Sequence, residues 1–179
     1  MPVIISMLRG VNVGGHNKIK MEELRALYED LGFKDPRSYI QSGNVVFETN
    51  ARNLVALTEK IEKAIEKTFG FRPAVILRTA DDLRAVVARN PFADREGIEP
   101  NKLLVTFLPG DPGREAREKV LAIKTDPEEL RIDGRELYIY FPNGAGTSKL
   151  SIPLIDRTLK MSGTSRNWNS VLKLLEMAS

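Results

Sequence analysis

The sequence predicts an α+β protein built as two subdomains, and three observations carry that reading. Residues 1–79 alternate short apolar runs with helical stripes in the order βαββαβ, the ferredoxin-like pattern with helices on one face of an antiparallel sheet. Residues 102–179 read as a related βαββαα unit, with no residue-level repeat of the first half. Between them, residues 80–101 form a helix and a polar connection that contains Pro91, Gly97 and Pro100.

Each element of the first half follows from its apolar spacing. Val3 to Leu8 is short, apolar and partly β-branched, a buried strand. Met21, Leu24, Leu27, Tyr28 and Leu31 make one stripe of a helix that ends at Gly32. Tyr39-Ile40-Gln41 and Val45-Val46-Phe47 read as strands joined by the tight turn Ser42-Gly43-Asn44. Leu54, Leu57, Ile61, Ala64, Ile65 and Phe69 give a second amphipathic helix closed by Gly70, and Ala74 to Leu77 a further strand.

The next helix is capped by Thr79 with Asp82 three residues on, carries Leu83, Val86 and Val87 inward, and stops near Asn90-Pro91. Leu103 to Leu108 is a strand, and Ala116, Val120 and Ile123 mark a helix. Leu130 to Ile132 and Leu137 to Phe141 flank Asp133-Gly134, a strong hairpin signal. Two helices follow, one with Leu150, Leu154, Ile155 and Leu159, the other with Trp168, Val171, Leu172 and Leu175 facing inward.

Composition narrows the chemistry. The absence of cysteine excludes disulfides, thiolate metal sites and a cysteine nucleophile, and suits a reducing cytoplasm, the expected location. A single histidine, His16, leaves no basis for a histidine-cluster metal site. No apolar stretch approaches a membrane span, and Val3 to Leu8 is too short for a signal-peptide core, so no membrane partner is expected. The net charge of +3 is carried by residues 142–179, where Lys149, Arg157, Lys160, Arg166 and Lys173 face only Asp156 and Glu176. So small and local an excess suits a phosphate-bearing partner and argues against tight duplex DNA binding.

Three polar blocks interrupt the scaffold where strands end. The first, from Arg9 to Lys20, holds Asn12, Gly14, Gly15 and Asn17 between a strand and a helix, a setting in which exposed N–H groups and basic side chains hold an anion. It matches neither a Walker A loop nor G-x-G-x-x-G. The second, Gln41-Ser42-Gly43-Asn44, offers neutral amides that read a donor–acceptor edge or stabilise a turn. The basic-aromatic pattern of the RNA-recognition motif is absent from the strand beside it. The third runs from Pro142 to Lys149 with Thr147 and Ser148, where a phosphate cradle and a simple helix N-cap stand about equal. Arg166, Asn167 and Asn169 gather further donors before the last helix, beside Trp168, which is read as core packing rather than base stacking.

The pieces LRGVNVGGHNKIKM, YIQSGNVVF and TSRNWNSVLKL, with a Gly-rich Ser148-Lys149 stretch between, resemble the domain of unknown function 1697 family of mainly bacterial proteins. Val11 stands where isoleucine is common in that family. The resemblance implies a fold of two α+β subdomains, the first ferredoxin-like, and implies no activity. By resemblance the motif positions are Arg9, Asn12, Gly14, Gly15, Asn17, Lys20, Gln41, Ser42, Gly43, Asn44, Lys149, Arg166, Asn167 and Asn169.

The leading functional expectation is a binder of a phosphate-bearing ligand, a nucleotide or similar, in a cleft lined by Gly, Asn, Arg and Lys. Arg9, Lys20, Lys149 and Arg166 would take phosphate, while Asn12, Gln41, Asn44 and Asn169 would read the remainder. One alternative is an enzyme of phosphoryl or nucleotidyl transfer, which would rely on positioning and charge neutralisation. Another is that the motif residues only lock the subdomains together. The sequence assigns no catalytic residue, cofactor or oligomeric state. Geometry separates the readings: convergence on an open cleft favours binding, and burial in hydrogen-bonded turns favours a structural role.

Overall fold

The structure is a computed structural model that describes all residues, 1–179. The chain divides into one unit of Met1–Ala85 with Lys173–Ser179 and a second of Val86–Leu172.

In the first unit, β1 (Val3–Leu8), β2 (Lys34–Tyr39), β3 (Asn44–Glu48) and β4 (Val75–Thr79) form an antiparallel sheet in the order β2-β3-β1-β4. Alternation along the strands turns Ile4, Leu8, Val45, Phe47, Val75 and Leu77 into one core with the helices α1 (Met21–Asp30) and α2 (Leu54–Phe69). α1 contributes Met21, Leu24 and Tyr28, and α2 contributes Leu57, Ile61 and Ile65, each set at helical spacing. Truncating one such side chain, for instance Ile61→Ala, costs about 2–5 kcal/mol. The buried Ser6 and Tyr28 hydroxyls satisfy each other, 2.7 Å apart. The Tyr28 ring meets Phe47 edge-on at 5.3 Å between centroids, and burial raises its pKa above the ordinary tyrosine value.

α2 closes as its sequence dictates. Asn53 caps it by accepting from Ala56 N–H at 3.0 Å, and Gly70 ends it in the left-handed conformation. α3 (Ala80–Ala88) opens on the expected reciprocal cap, with Asp82 N–H donating to Thr79 Oγ1 at 3.0 Å and Thr79 N–H to the Asp82 carboxylate at 2.9 Å.

The second unit repeats the topology. β5 (Leu103–Phe107), β6 (Glu129–Asp133), β7 (Glu136–Tyr140) and β8 (Thr164–Asn167) run antiparallel in the order β6-β7-β5-β8. α4 (Arg114–Leu121) and α5 (Ile152–Leu159) bring Val120, Ile155 and Leu159 onto Leu108, Leu130, Leu137 and Ile139. The β6–β7 hairpin turns through Gly134 and Arg135, with Gly134 at φ 60° next to the Asp133↔Glu136 pair. α6 (Trp168–Ala178) ends the fold. The α+β class with two subdomains, the first ferredoxin-like, therefore stands, and the second proves ferredoxin-like as well.

Three details differ from the sequence reading. The second strand occupies Lys34–Tyr39, not residues 39–41, because it is an edge strand whose sequence KDPRSY lacks apolar alternation. Pro36 is tolerated there, beside a register shift between Lys34 and Arg37. The second half is not βαββαα but gains the strand β8, a polar edge segment that pairs Phe107 with Thr164 and Leu104 with Asn167. α6 buries Val171, Leu174 and Ala178 rather than Trp168, Leu172 and Leu175; Trp168 is half-buried and Leu172 exposed.

Candidate functional site

The Arg9–Lys20 block is a short projecting hairpin. Val13 and His16 pair across Gly14 and Gly15, and His16 N–H donates to the Val13 carbonyl at 3.0 Å. The next rung is Asn12 N–H to the Asn17 carbonyl at 3.1 Å. Gly14 and Gly15 stand at φ 58° and 77°, the two positive values that a type I′ turn requires at its centre. The glycines serve this turn first, and Val13 through Lys18 are exposed around it.

The second block lies at the same end of the sheet. Register places Met7 opposite Asn44, and Leu8 N–H donates to the Gly43 carbonyl at 3.1 Å. Arg9 N–H reaches the Ala74 carbonyl at 2.9 Å, which brings the α2–β4 connection to that end as well. Gly43, at φ 81°, is needed for the fit: a Cβ there would meet Leu8 Cβ at 2.8 Å.

The asparagines face backbone. Asn12 Nδ2 donates to the Ile19 carbonyl at 2.9 Å and the Gln41 carbonyl at 2.7 Å, while its Oδ1 accepts from Ile19 N–H at 2.8 Å. Asn17 Nδ2 donates to the Gly10 carbonyl at 3.3 Å. Buried Asn44 donates to the Tyr39 carbonyl at 3.2 Å and to Ser42 Oγ at 3.0 Å. Asn12 thus ties the hairpin to the Ile40–Gly43 turn, Asn17 braces the hairpin and Asn44 braces the turn, since backbone groups removed from water must be paired.

What they enclose is a groove of about 550 Å³, lined by Asn12, Gly15 and Ile19 together with Lys18, Lys20, Glu23 and Gln41. Lys18, Lys20 and Gln41 are exposed. Lys18 and Glu23 were not singled out from the sequence. Lys18 shares the signal that drew attention to Lys20, whereas Glu23 reads there as an ordinary acidic residue of a helix first turn.

The third block and its neighbours belong to the second unit. Pro142–Lys149 does hold an anion, but it is the chain's own. The Ser148 hydroxyl bonds the largely buried Glu128 carboxylate and in turn accepts from Leu150 N–H at 3.1 Å. The Ser148 hydroxyl, with help from the N–H of Glu128 itself and that of Lys149, holds the Glu128 carboxyl below the usual carboxylate range. The cap of α5 is Ser151, which accepts from Leu154 N–H at 3.2 Å, rather than Thr147 or Ser148. The Lys149 side chain is exposed.

Arg166 lies buried on β8, donating to Thr164 Oγ1 at 2.7 Å and the Ser165 carbonyl at 2.9 Å, and burial lowers its guanidinium pKa. Asn167 accepts from Ser170 N–H at 2.9 Å at the start of α6, and Asn169 is exposed. Of the residues expected to form a site, the first two blocks come together, and Ser148, Arg166 and Asn167 are engaged in holding their own unit.

No helix is long and apolar enough to cross a membrane. No curated protein matches the chain. Among solved structures it is similar to that of the conserved bacterial protein SP0830 from Streptococcus pneumoniae, with a TM-score of 0.76, 24% identity and 99% of each chain covered, a likeness that bears on the fold. The sequence pieces, the paired βαββαβ units and a family match over residues 1–138 agree, and the chain belongs to the family described as protein of unknown function (DUF1697).

Proposed function

We propose that the protein binds a small phosphate-bearing ligand in the groove beside the Gly14–Gly15 turn, with Lys18 and Lys20 taking the phosphate and the Gln41 amide reading the remainder. The observation that carries this reading is the lining itself: two lysines, neither ion-paired within the chain, share one concave wall with a free amide. A charge pair at 4 Å is worth about 1 kcal/mol in water and about 4 kcal/mol near a protein surface, so two lysines supply useful affinity only where the wall excludes some water. Asn12, Asn17 and Asn44 act by fixing the wall's shape before the ligand arrives.

A thermal-shift screen with inorganic phosphate, pyrophosphate and nucleoside monophosphates tests the reading, because a ligand that binds only the folded state raises the melting temperature with concentration. A rise that Lys18→Gln with Lys20→Gln abolishes supports it. No rise with any phosphorylated compound, or one indifferent to both lysines, rejects it.

A further inference from the structure

The groove beside the Gly14–Gly15 turn is lined by charges of both signs. Lys18 and Lys20 share its wall with Glu23, which stands in the first turn of α1. Ile19, between the two lysines, is buried in the core, and Asn12 bonds both its N–H and its carbonyl. The backbone that carries the lysines is therefore fixed, while both of their side chains stay exposed. Neither lysine pairs with Glu23 or with any other carboxylate of the chain. Exposed opposite charges elsewhere in the same unit do meet, as Lys63 meets Glu59 at 2.9 Å and Arg37 meets Asp35 at 3.2 Å. The groove, of about 550 Å³, also has the size of a small-molecule site and leaves room beyond one phosphate. For a ligand that carries phosphate alone, Glu23 is a liability, because it repels the anion that the lysines attract.

We propose that the groove takes a zwitterionic phosphomonoester, the phosphate of an amino alcohol, rather than a simple phosphate. This rests on the phosphate-binding reading above and narrows its ligand class. Lys18 and Lys20 hold the phosphate, and the Glu23 carboxylate accepts from the ligand's ammonium group. The carboxylate thereby selects among phosphate esters. One without an ammonium group leaves Glu23 unpaired beside a bound anion, and is disfavoured for that reason.

Calorimetric titration of the full chain at low salt tests this with O-phosphoethanolamine and with propyl phosphate, which has a methyl in place of the ammonium. The wild type should bind O-phosphoethanolamine about threefold more tightly, the scale of one exposed charge pair. Attraction to the lysines alone predicts the opposite order, because propyl phosphate is the more negative of the two. Glu23→Gln should cancel or reverse the preference. Propyl phosphate bound as tightly as O-phosphoethanolamine by the wild type, or a preference that survives Glu23→Gln, overturns the zwitterionic ligand and leaves the phosphate site intact. Binding of neither ester, or binding indifferent to Lys18→Gln with Lys20→Gln, overturns the phosphate site itself and this proposal with it.

Discussion

Asn12 Nδ2 donates to the Gln41 carbonyl at 2.7 Å, and the same side chain exchanges two hydrogen bonds with the Ile19 backbone. One amide therefore couples the projecting hairpin, the approach to α1 and the turn before β3. At φ 57° Asn12 also occupies a conformation that asparagine tolerates better than most residues. Replacing it with glycine keeps the backbone and removes the three bonds. Asn12→Gly is expected to cost about 1–3 kcal/mol in urea denaturation. Faster hydrogen exchange at the Ile19 amide should accompany the loss; unchanged protection there would show that the coupling is not held by Asn12.

Gly43 and Gly10 separate two effects of adding a methyl group. Both have positive φ, but a Cβ on Gly10 meets nothing within 4 Å, whereas one on Gly43 presses on Leu8 at 2.8 Å. Gly10→Ala should cost about 1–2 kcal/mol, the left-handed penalty alone. Gly43→Ala should cost about 1–3 kcal/mol more, from overpacking against β1. Equal losses in chemical denaturation would contradict the close approach.

The Glu128–Ser148 contact carries an acid signature. The folded state holds Glu128 below its ordinary pKa, so the contact stabilises fully above the unfolded carboxylate pKa and is lost as pH falls through the folded value. Ser148→Ala should lower stability by about 1–2 kcal/mol at neutral pH. The deficit should shrink in acid, where the wild type loses the same interaction. A deficit constant with pH would mean that Ser148 acts through packing instead.

Arg166 is expected to behave as a structural residue. Its guanidinium is buried and donates within β8. Arg166→Ala should lower the melting temperature, with a loss of about 1–3 kcal/mol from each buried neutral partner left unpaired. Full stability with weakened phosphate binding would restore it to the ligand set.

Much of the fold was legible because periodicity and caps agreed. The stripe from Leu54 to Phe69 and Gly70 marked α2 at both ends, and Thr79 with Asp82 marked the start of α3. Edge strands were not legible: Lys34–Tyr39 and Thr164–Asn167 are set by pairing with β3 and β5, not by apolar alternation. The polar blocks were visible, but their division of labour was not. Asn12 and Asn44 have the composition of ligand readers, and only their carbonyl partners, for Asn12 a residue distant in sequence, make them clamps. Glu128 was invisible as the occupant of the Pro142–Lys149 loop because no local spacing links it to Ser148.

Glu23 sharpens the electrostatics of the groove. It is the carboxylate among the lining residues and makes no ion pair within the chain. Glu23→Gln should strengthen binding of inorganic phosphate about two- to fivefold at low salt, with less effect at about 0.15 M, where exposed charges are screened. Weaker phosphate binding in this variant would show that the carboxylate supports the site rather than opposing an anion.

On the proposed reading, Lys18 and Lys20 hold a phosphate group beside a pre-shaped turn. Calorimetric titration with AMP at about 0.15 M salt tests it most directly, comparing the wild type with the double variant Lys18→Gln, Lys20→Gln. The wild type should bind saturably and the double variant about tenfold or more weakly, with both proteins melting alike. Equal affinity in the two proteins, or no binding by the wild type, would contradict it.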